Sequence, residues 1–127
     1  MRLLIDTHVL LWALAEPERL DAAFRKLVED RDNTVMFSAA SIREIAIKAQ
    51  SRRIDFDVDP AGIARAVASG FAELPVTASA AARVAGLPLH HRDPFDRLLV
   101  AQAMDQAIPL YTVDRQLSAY SDLVVRL

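Results

Sequence analysis

Four acidic residues of this 127-residue chain, Asp6, Glu44, Asp96 and Asp114, fall where an apolar, strand-like run gives way to a helix-like run. In an open α/β sheet such junctions collect at one rim, beyond the carboxyl ends of the strands, where these folds bind ligands. Carboxylates crowded there repel one another and stay ionised only beside a counter-cation. Hard oxygen donors select Mg²⁺ or Mn²⁺. The pattern points to metal-assisted phosphate chemistry.

Each acid also has a purely structural explanation. Asp6 and Thr7 stand where a helix begins, and either can cap it by accepting backbone N–H groups. Ser41 and Glu44 have capping-box spacing, and Glu44 and Lys48 have the spacing of an i,i+4 ion pair. Helical periodicity begins nearer Ser38, however, which makes Ser38 the better cap and puts Glu44 almost two turns into the helix. Lys48 is either the partner of Glu44 or a phosphate clamp. Asp93 precedes Pro94, a strong cap and first-turn signal, so it is assigned mainly to structure; whether it also assists a metal stays open. Asp96 projects from the same first turn and is assigned mainly to metal. Thr112 and Asp114 are two residues apart at a strand end and face the same side. Singly, each acid can be a cap. Four at successive junctions of one sheet would accumulate negative charge at a cost that only cations offset. His8, His90 and His91 lack the i,i+4 spacing of a helical zinc motif and are read as loop or phosphate-contact groups.

The elements that must position these residues follow from hydrophobic period. Leu3 to Ile5 is a strand and the run through Val9, Leu10 and Trp12 a helix, closed by Pro17. Leu20 to Arg31 reads as a second helix with Phe24, Leu27 and Val28 inward. Thr34 to Phe37 is a buried strand, and from Ser38 a helix turns Ile42, Ile45, Ala46 and Ala49 to the core. Pro60 opens a helix that ends at Gly70; Ala72 to Val76 is a short strand broken by Pro75; Thr77 to Ala85 is helical. A long helix runs from Pro94 to about Ala107, Ile108 to Val113 is a strand, Asp114 to Tyr120 a short helix, and Leu123 to Leu127 a closing strand. Alternating strands and helices imply a mainly parallel sheet layered between helices.

Composition narrows the classes. A hydrophobic fraction of 53% with 25% charged residues is that of one soluble globular domain, expected to span residues 1–127. The absence of cysteine rules out disulfides and thiolate zinc sites and suits a reducing cytoplasm, the expected location. A formal charge of -2 gives no general basic field for duplex nucleic acid. Of 15 basic residues only Lys26 and Lys48 are lysines, and arginine grips phosphate in two-point geometry. Arg52 with Arg53, and Arg92 with Arg97, form local clusters. The N-terminal run ending in Ala13, Leu14 and Ala15 imitates a signal peptide, but Asp6 and His8 interrupt it. No apolar stretch approaches a membrane span.

At these residues the chain resembles a PIN-domain ribonuclease of the VapC type, the toxin of a toxin–antitoxin pair. The resemblance lies in Leu4-Ile5-Asp6-Thr7-His8, in the run from Ser38 through Glu44 to Lys48, in His91-Arg92-Asp93-Pro94-Phe95-Asp96-Arg97 and the helix after it, and in Leu110-Tyr111-Thr112-Val113-Asp114. It implies a three-layer α/β fold, with a central mainly parallel sheet flanked by helices, and Mg²⁺ as cofactor with Mn²⁺ able to substitute. It further implies cleavage of single-stranded or structured RNA, a homodimer, and a cognate antitoxin whose C-terminal arm covers the acidic pocket. Carried over by position, the catalytic, metal-holding set falls on Asp6, Glu44, Asp96 and Asp114. Thr7, Thr112 and Ser38 are the expected supports, and Lys48 and Arg97 the expected phosphate contacts. Two other classes compete: an aspartyl phosphotransferase or phosphatase built on Asp6, and a non-catalytic RNA- or protein-binding module whose acids only cap helices.

Overall fold

Strand β1 (Arg2–Ile5) is the centre of the molecule because it is apolar without alternation, as a parallel strand covered on both faces must be. In the computed structural model, which describes residues 1–51 and 59–127, it is flanked by β2 (Thr34–Ser38) and β4 (Leu110–Thr112). β3 (Ala72–Leu74) and β5 (Val124–Arg126) form the edges, in the order β3-β2-β1-β4-β5. The sheet, expected to be mainly parallel, is parallel at every pairing. The Arg52–Arg53 cluster lies outside the described residues.

Six α-helices cover the sheet among the described residues: α1 (Thr7–Ala15), α2 (Ala22–Glu29), α3 (Ala39–Gln50), α4 (Pro60–Gly70), α5 (Ala78–Arg83) and α6 (Pro94–Gln106). Side chains of successive strand residues point to opposite faces. Leu4, Met36 and Leu110 therefore pack with Leu99, Val100 and Ala103 of α6, while Leu3, Ile5, Val35 and Phe37 pack with Val9, Leu10, Phe24, Ile45 and Val67 of α1 to α4. Two cores on one sheet make the three layers. No helix among the described residues is long and apolar enough to cross a membrane.

Departures from the expected boundaries have local causes. α2 starts after Asp21, whose carboxylate accepts from the Phe24 N–H at 2.7 Å, so Leu20 belongs to the preceding turn. β3 stops at Leu74, before Pro75, which has no N–H to give a ladder. β4 is shorter than Ile108–Val113 because α6 ends on Ala107 in a left-handed cap (φ 53°) and the chain needs Ile108 and Pro109 to turn back. The segment after Asp114 winds as a 3-10 helix, Arg115–Ala119, with Asp114 as its cap.

Candidate metal centre

The carboxyl ends of β1, β2 and β4 lie side by side, and each carries a polar residue: Asp6 just past β1, Ser38 as the last residue of β2 and Thr112 as the last of β4. Asp6 follows β1 and is 2% exposed. Its Oδ1 accepts from the Val9 N–H at 2.8 Å and caps α1; its Oδ2 accepts from the Thr112 hydroxyl. The same Thr112 oxygen accepts from the Asp114 N–H at 3.0 Å, so one buried hydroxyl joins the ends of β1 and β4. Thr112 thus touches both Asp6 and the Asp114 backbone directly.

The other two expected supports act lower down. Thr7 donates to the Ser41 hydroxyl at 2.9 Å, tying α1 to α3. Ser38 caps α3 through the Ala40 N–H and donates to Gln102 Oε1 at 2.5 Å, tying β2 to α6. Gln102, 1% exposed, completes that tie with its amide near the Leu74 and Pro75 carbonyls. These hydroxyls fix the helices that carry the acids.

Glu44 is not at the open rim but buried, 2% exposed. Its Oε2 accepts from Lys48 Nζ at 2.6 Å, the i,i+4 ion pair, which engages Lys48 inside the cluster. Its Oε1 has no hydrogen-bond partner among the described residues. A buried acceptor left this way costs about 1–3 kcal/mol, more when charged. Asp96 enters from the first turn of α6, positioned by Asp93, whose Oδ1 accepts from the Phe95 N–H at 2.8 Å and the Asp96 N–H at 3.2 Å. Burial pushes the Asp96 carboxyl up to about 7, helped by the charges of Asp93, Glu44 and Asp6 and opposed by His91. Burial also raises Asp6 above the ordinary carboxylate range, against the pull of the Thr112 hydroxyl and the Val9 N–H. Asp6, Glu44 and Asp96 therefore feel one another across a poorly solvated space.

Asp114 stands beside His91, read from the sequence as a loop or phosphate-contact group. His91 Nε2 lies 2.8 Å from Asp114 Oδ2 and 3.2 Å from Asp96 Oδ2. The Asp93 N–H points at Nδ1 (3.4 Å), an arrangement that suits the tautomer with its proton on Nε2, facing the carboxylates. One ligand atom from each of His91, Asp96 and Asp114 falls within 4.8 Å of the others, spacing that a single cation can span. The one available signal for His91 was its place two residues before the cap of the helix that bears Asp96.

Arg97 requires a correction. Expected as a phosphate contact, it instead directs its guanidinium to the carbonyls of Val84, Leu87 and Pro88, at 3.2, 3.3 and 3.0 Å, and to the Tyr120 hydroxyl at 3.0 Å. Those acceptors engage both terminal nitrogens. Arg97 braces the loop that delivers His91.

The donor set suits a hard divalent cation. Among the described residues Asp96 and Asp114 bring oxygens within 4.8 Å of each other and of His91, and Asp6 and Glu44 act on Asp96 by charge from outside that group. One Glu44 oxygen is buried with no donor to satisfy it, the kind of atom a cation partners.

Comparison with known proteins agrees with this geometry. The family model described as PIN domain matches residues 3–123. Ribonuclease VapC22 of Mycobacterium tuberculosis is 33% identical over 118 residues, which cover 92% of this chain and 90% of the relative. Among solved structures, VapBC2 from Rickettsia felis bound to a promoter DNA fragment matches with a TM-score of 0.74 at 13% identity, covering 100% of this chain and 99% of that one. VapBC-5 from Mycobacterium tuberculosis, a member of the VapBC family of toxin–antitoxin systems, matches with a TM-score of 0.65 at 20% identity, covering 99% and 98%. At such identities these two structures speak for the fold.

Proposed function

This chain belongs to the PIN-domain family and is a relative of VapC ribonucleases, and from that premise we propose that it is a divalent-metal-dependent endoribonuclease, the toxin of a toxin–antitoxin pair. The observation that carries the reading is the buried, unpartnered Glu44 Oε1, close enough to act by charge on Asp96, whose carboxyl burial pushes up to about 7. Helix capping alone accounts for Asp93 and for one oxygen each of Asp6 and Asp114, and it does not account for the burial of Glu44 Oε1 without a partner.

In this reading Asp6, Glu44, Asp96 and Asp114 hold the cation, Mg²⁺ with Mn²⁺ as substitute, which when bound polarises the phosphodiester and lowers the pKa of the attacking water. Thr112 fixes the rotamer of Asp6 by its hydrogen bond and so presets the position of one carboxylate. Lys48 holds one Glu44 oxygen and leaves the other free to reach the cation. His91 orients Asp96 and Asp114 from the open side. RNA, single-stranded or in structured form, is the substrate class, and water the nucleophile. The partner is a cognate antitoxin, in keeping with the VapBC complexes that share the fold, and the active assembly is a homodimer.

Purified protein incubated with total RNA should give new, mappable ends in the presence of Mg²⁺ and none with chelator. Cleavage that persists in chelator, or an Asp6→Asn protein that cleaves as well as its parent, would refute the assignment.

A further inference from the structure

A cavity of about 410 Å³ opens beside the acid cluster, bounded by Leu89, His90, His91, Arg92 and Gln116. Small-ligand sites run from roughly 300 to 1,000 Å³. His91 is the shared wall: it lines the cavity and touches Asp96 and Asp114 on its other side. The loop beneath is irregular yet tied down. Arg97 gathers the carbonyls of Val84, Leu87 and Pro88, and the Tyr120 hydroxyl accepts from the His91 N–H at 2.9 Å, with the His90 N–H at 3.2 Å. The His90 ring stands edge-on against Tyr120, centroids 5.0 Å apart. A backbone fixed in advance spares a ligand much of the ordering cost of binding.

Above that floor the side chains of Leu89, Arg92 and Gln116 are unspent. Leu89 is 73% exposed. Among the described residues Arg92 makes no ion pair, and Gln116 uses only its backbone N–H, on Asp114, so its carboxamide is free. A guanidinium, an imidazole, a carboxamide and an apolar side chain thus surround one hollow. That combination matches a nucleotide: the guanidinium suits a phosphate, the carboxamide a base edge, and the imidazole and leucine a base face. A protein segment would favour a broader apolar surface, whereas here the one exposed apolar group is surrounded by polar ones.

We propose that this cavity is a nucleotide subsite, which seats the RNA residue adjoining the scissile phosphodiester with Arg92 on its phosphate and Gln116 at its base edge. The proposal rests on the nuclease reading and adds to it where the strand lies. Arg92→Ala should raise KM for a single-stranded RNA about tenfold while changing kcat far less, the pattern of lost ground-state binding. It should also flatten the salt dependence of RNA binding, lowering the slope of log K against log salt by about 0.7, the contribution of one phosphate contact on a single strand. Gln116→Ala should alter the preference among bases at one position beside the cut. A merely structural role for Arg92 would leave the salt slope where it was. Unchanged KM and slope in an Arg92→Ala protein, with the parent still cleaving, would overturn the subsite and leave the nuclease standing. If the parent does not cleave, the nuclease reading falls, and titration with cytidine 5′-monophosphate decides the cavity separately. Shifts in the Leu89 methyl and Gln116 side-chain amide signals would uphold a nucleotide site, and their absence would overturn it. Signals that move only when the antitoxin is added would make the hollow a protein contact and also overturn it.

Discussion

Leu3, Leu4 and Ile5 are 0%, 0% and 1% exposed, and Asp6, the next residue along the same strand direction, is 2% exposed. Equal burial has opposite consequences on the two sides of that peptide bond. Removing each apolar side chain from water stabilises the fold by about 1.5–3 kcal/mol. Removing a carboxylate from water opposes its ionisation, and burial accordingly raises Asp6 and takes Asp96 to about 7. The middle of the sheet works for stability, and its rim collects carboxylates whose ionisation burial opposes. The difference separates substitutions that unfold the protein from those that only silence it.

The largest effects should divide along that line. Asp96→Asn removes a crowded acid, so it should reduce Mg²⁺-dependent RNA cleavage to background while raising the melting temperature of the metal-free protein. A lowered melting temperature would mean that Asp96 is structural and would erase the contrast. Leu99→Ala, in the core packed against β1, should cost about 2–5 kcal/mol in chemical denaturation, as large-to-small core substitutions do. Folded Leu99→Ala protein should still cleave RNA.

Next in size is Thr112→Val, which keeps the volume but removes the hydroxyl from Asp6 and from the Asp114 N–H. Loss of a group that orients metal ligands should lower metal affinity or activity about 10–100-fold. Isothermal titration with Mn²⁺ measures it, and unchanged affinity would mean that Asp6 holds its position without help.

The smallest effect is a pH slope. The folded chain retains protons on Asp96 that the unfolded chain releases between the ordinary value of 3.8 and about 7. Folded-state pKa values raised in this way mean that metal-free stability falls as pH rises through that window. Saturating Mn²⁺, which keeps the folded carboxylate ionised as it is in the unfolded chain, should abolish the slope. Melting temperatures across that range, with and without the cation, give the sign directly.

Most of this division was legible in the sequence, for physical reasons. Strands buried on both faces must be continuous apolar runs, so the positions of β1 and β2 and the acids that end them could be read without coordinates. Asp93 could be assigned to capping because Asp followed by Pro has few other uses at a helix start. Glu44 was harder: periodicity placed it on α3 but could not tell that its carboxylate is buried and acts by charge on Asp96. Arg97 was misread because its acceptors are carbonyls of an irregular loop, and the direction of a loop carbonyl leaves no trace in residue pattern. The same loop hid His91, whose role depends on the fold-back that Arg97 and Tyr120 enforce.

The central claim is that acids from β1, α3, α6 and the end of β4 share one divalent cation. Thermal unfolding of the parent and of Asp96→Asn protein across a Mn²⁺ titration tests it most directly. The parent should gain stability with cation concentration, by about 2.7 kcal/mol at one hundred times the dissociation constant, and the variant should gain little. A parent whose melting temperature ignores Mn²⁺, or a variant that responds as strongly as the parent, would contradict it.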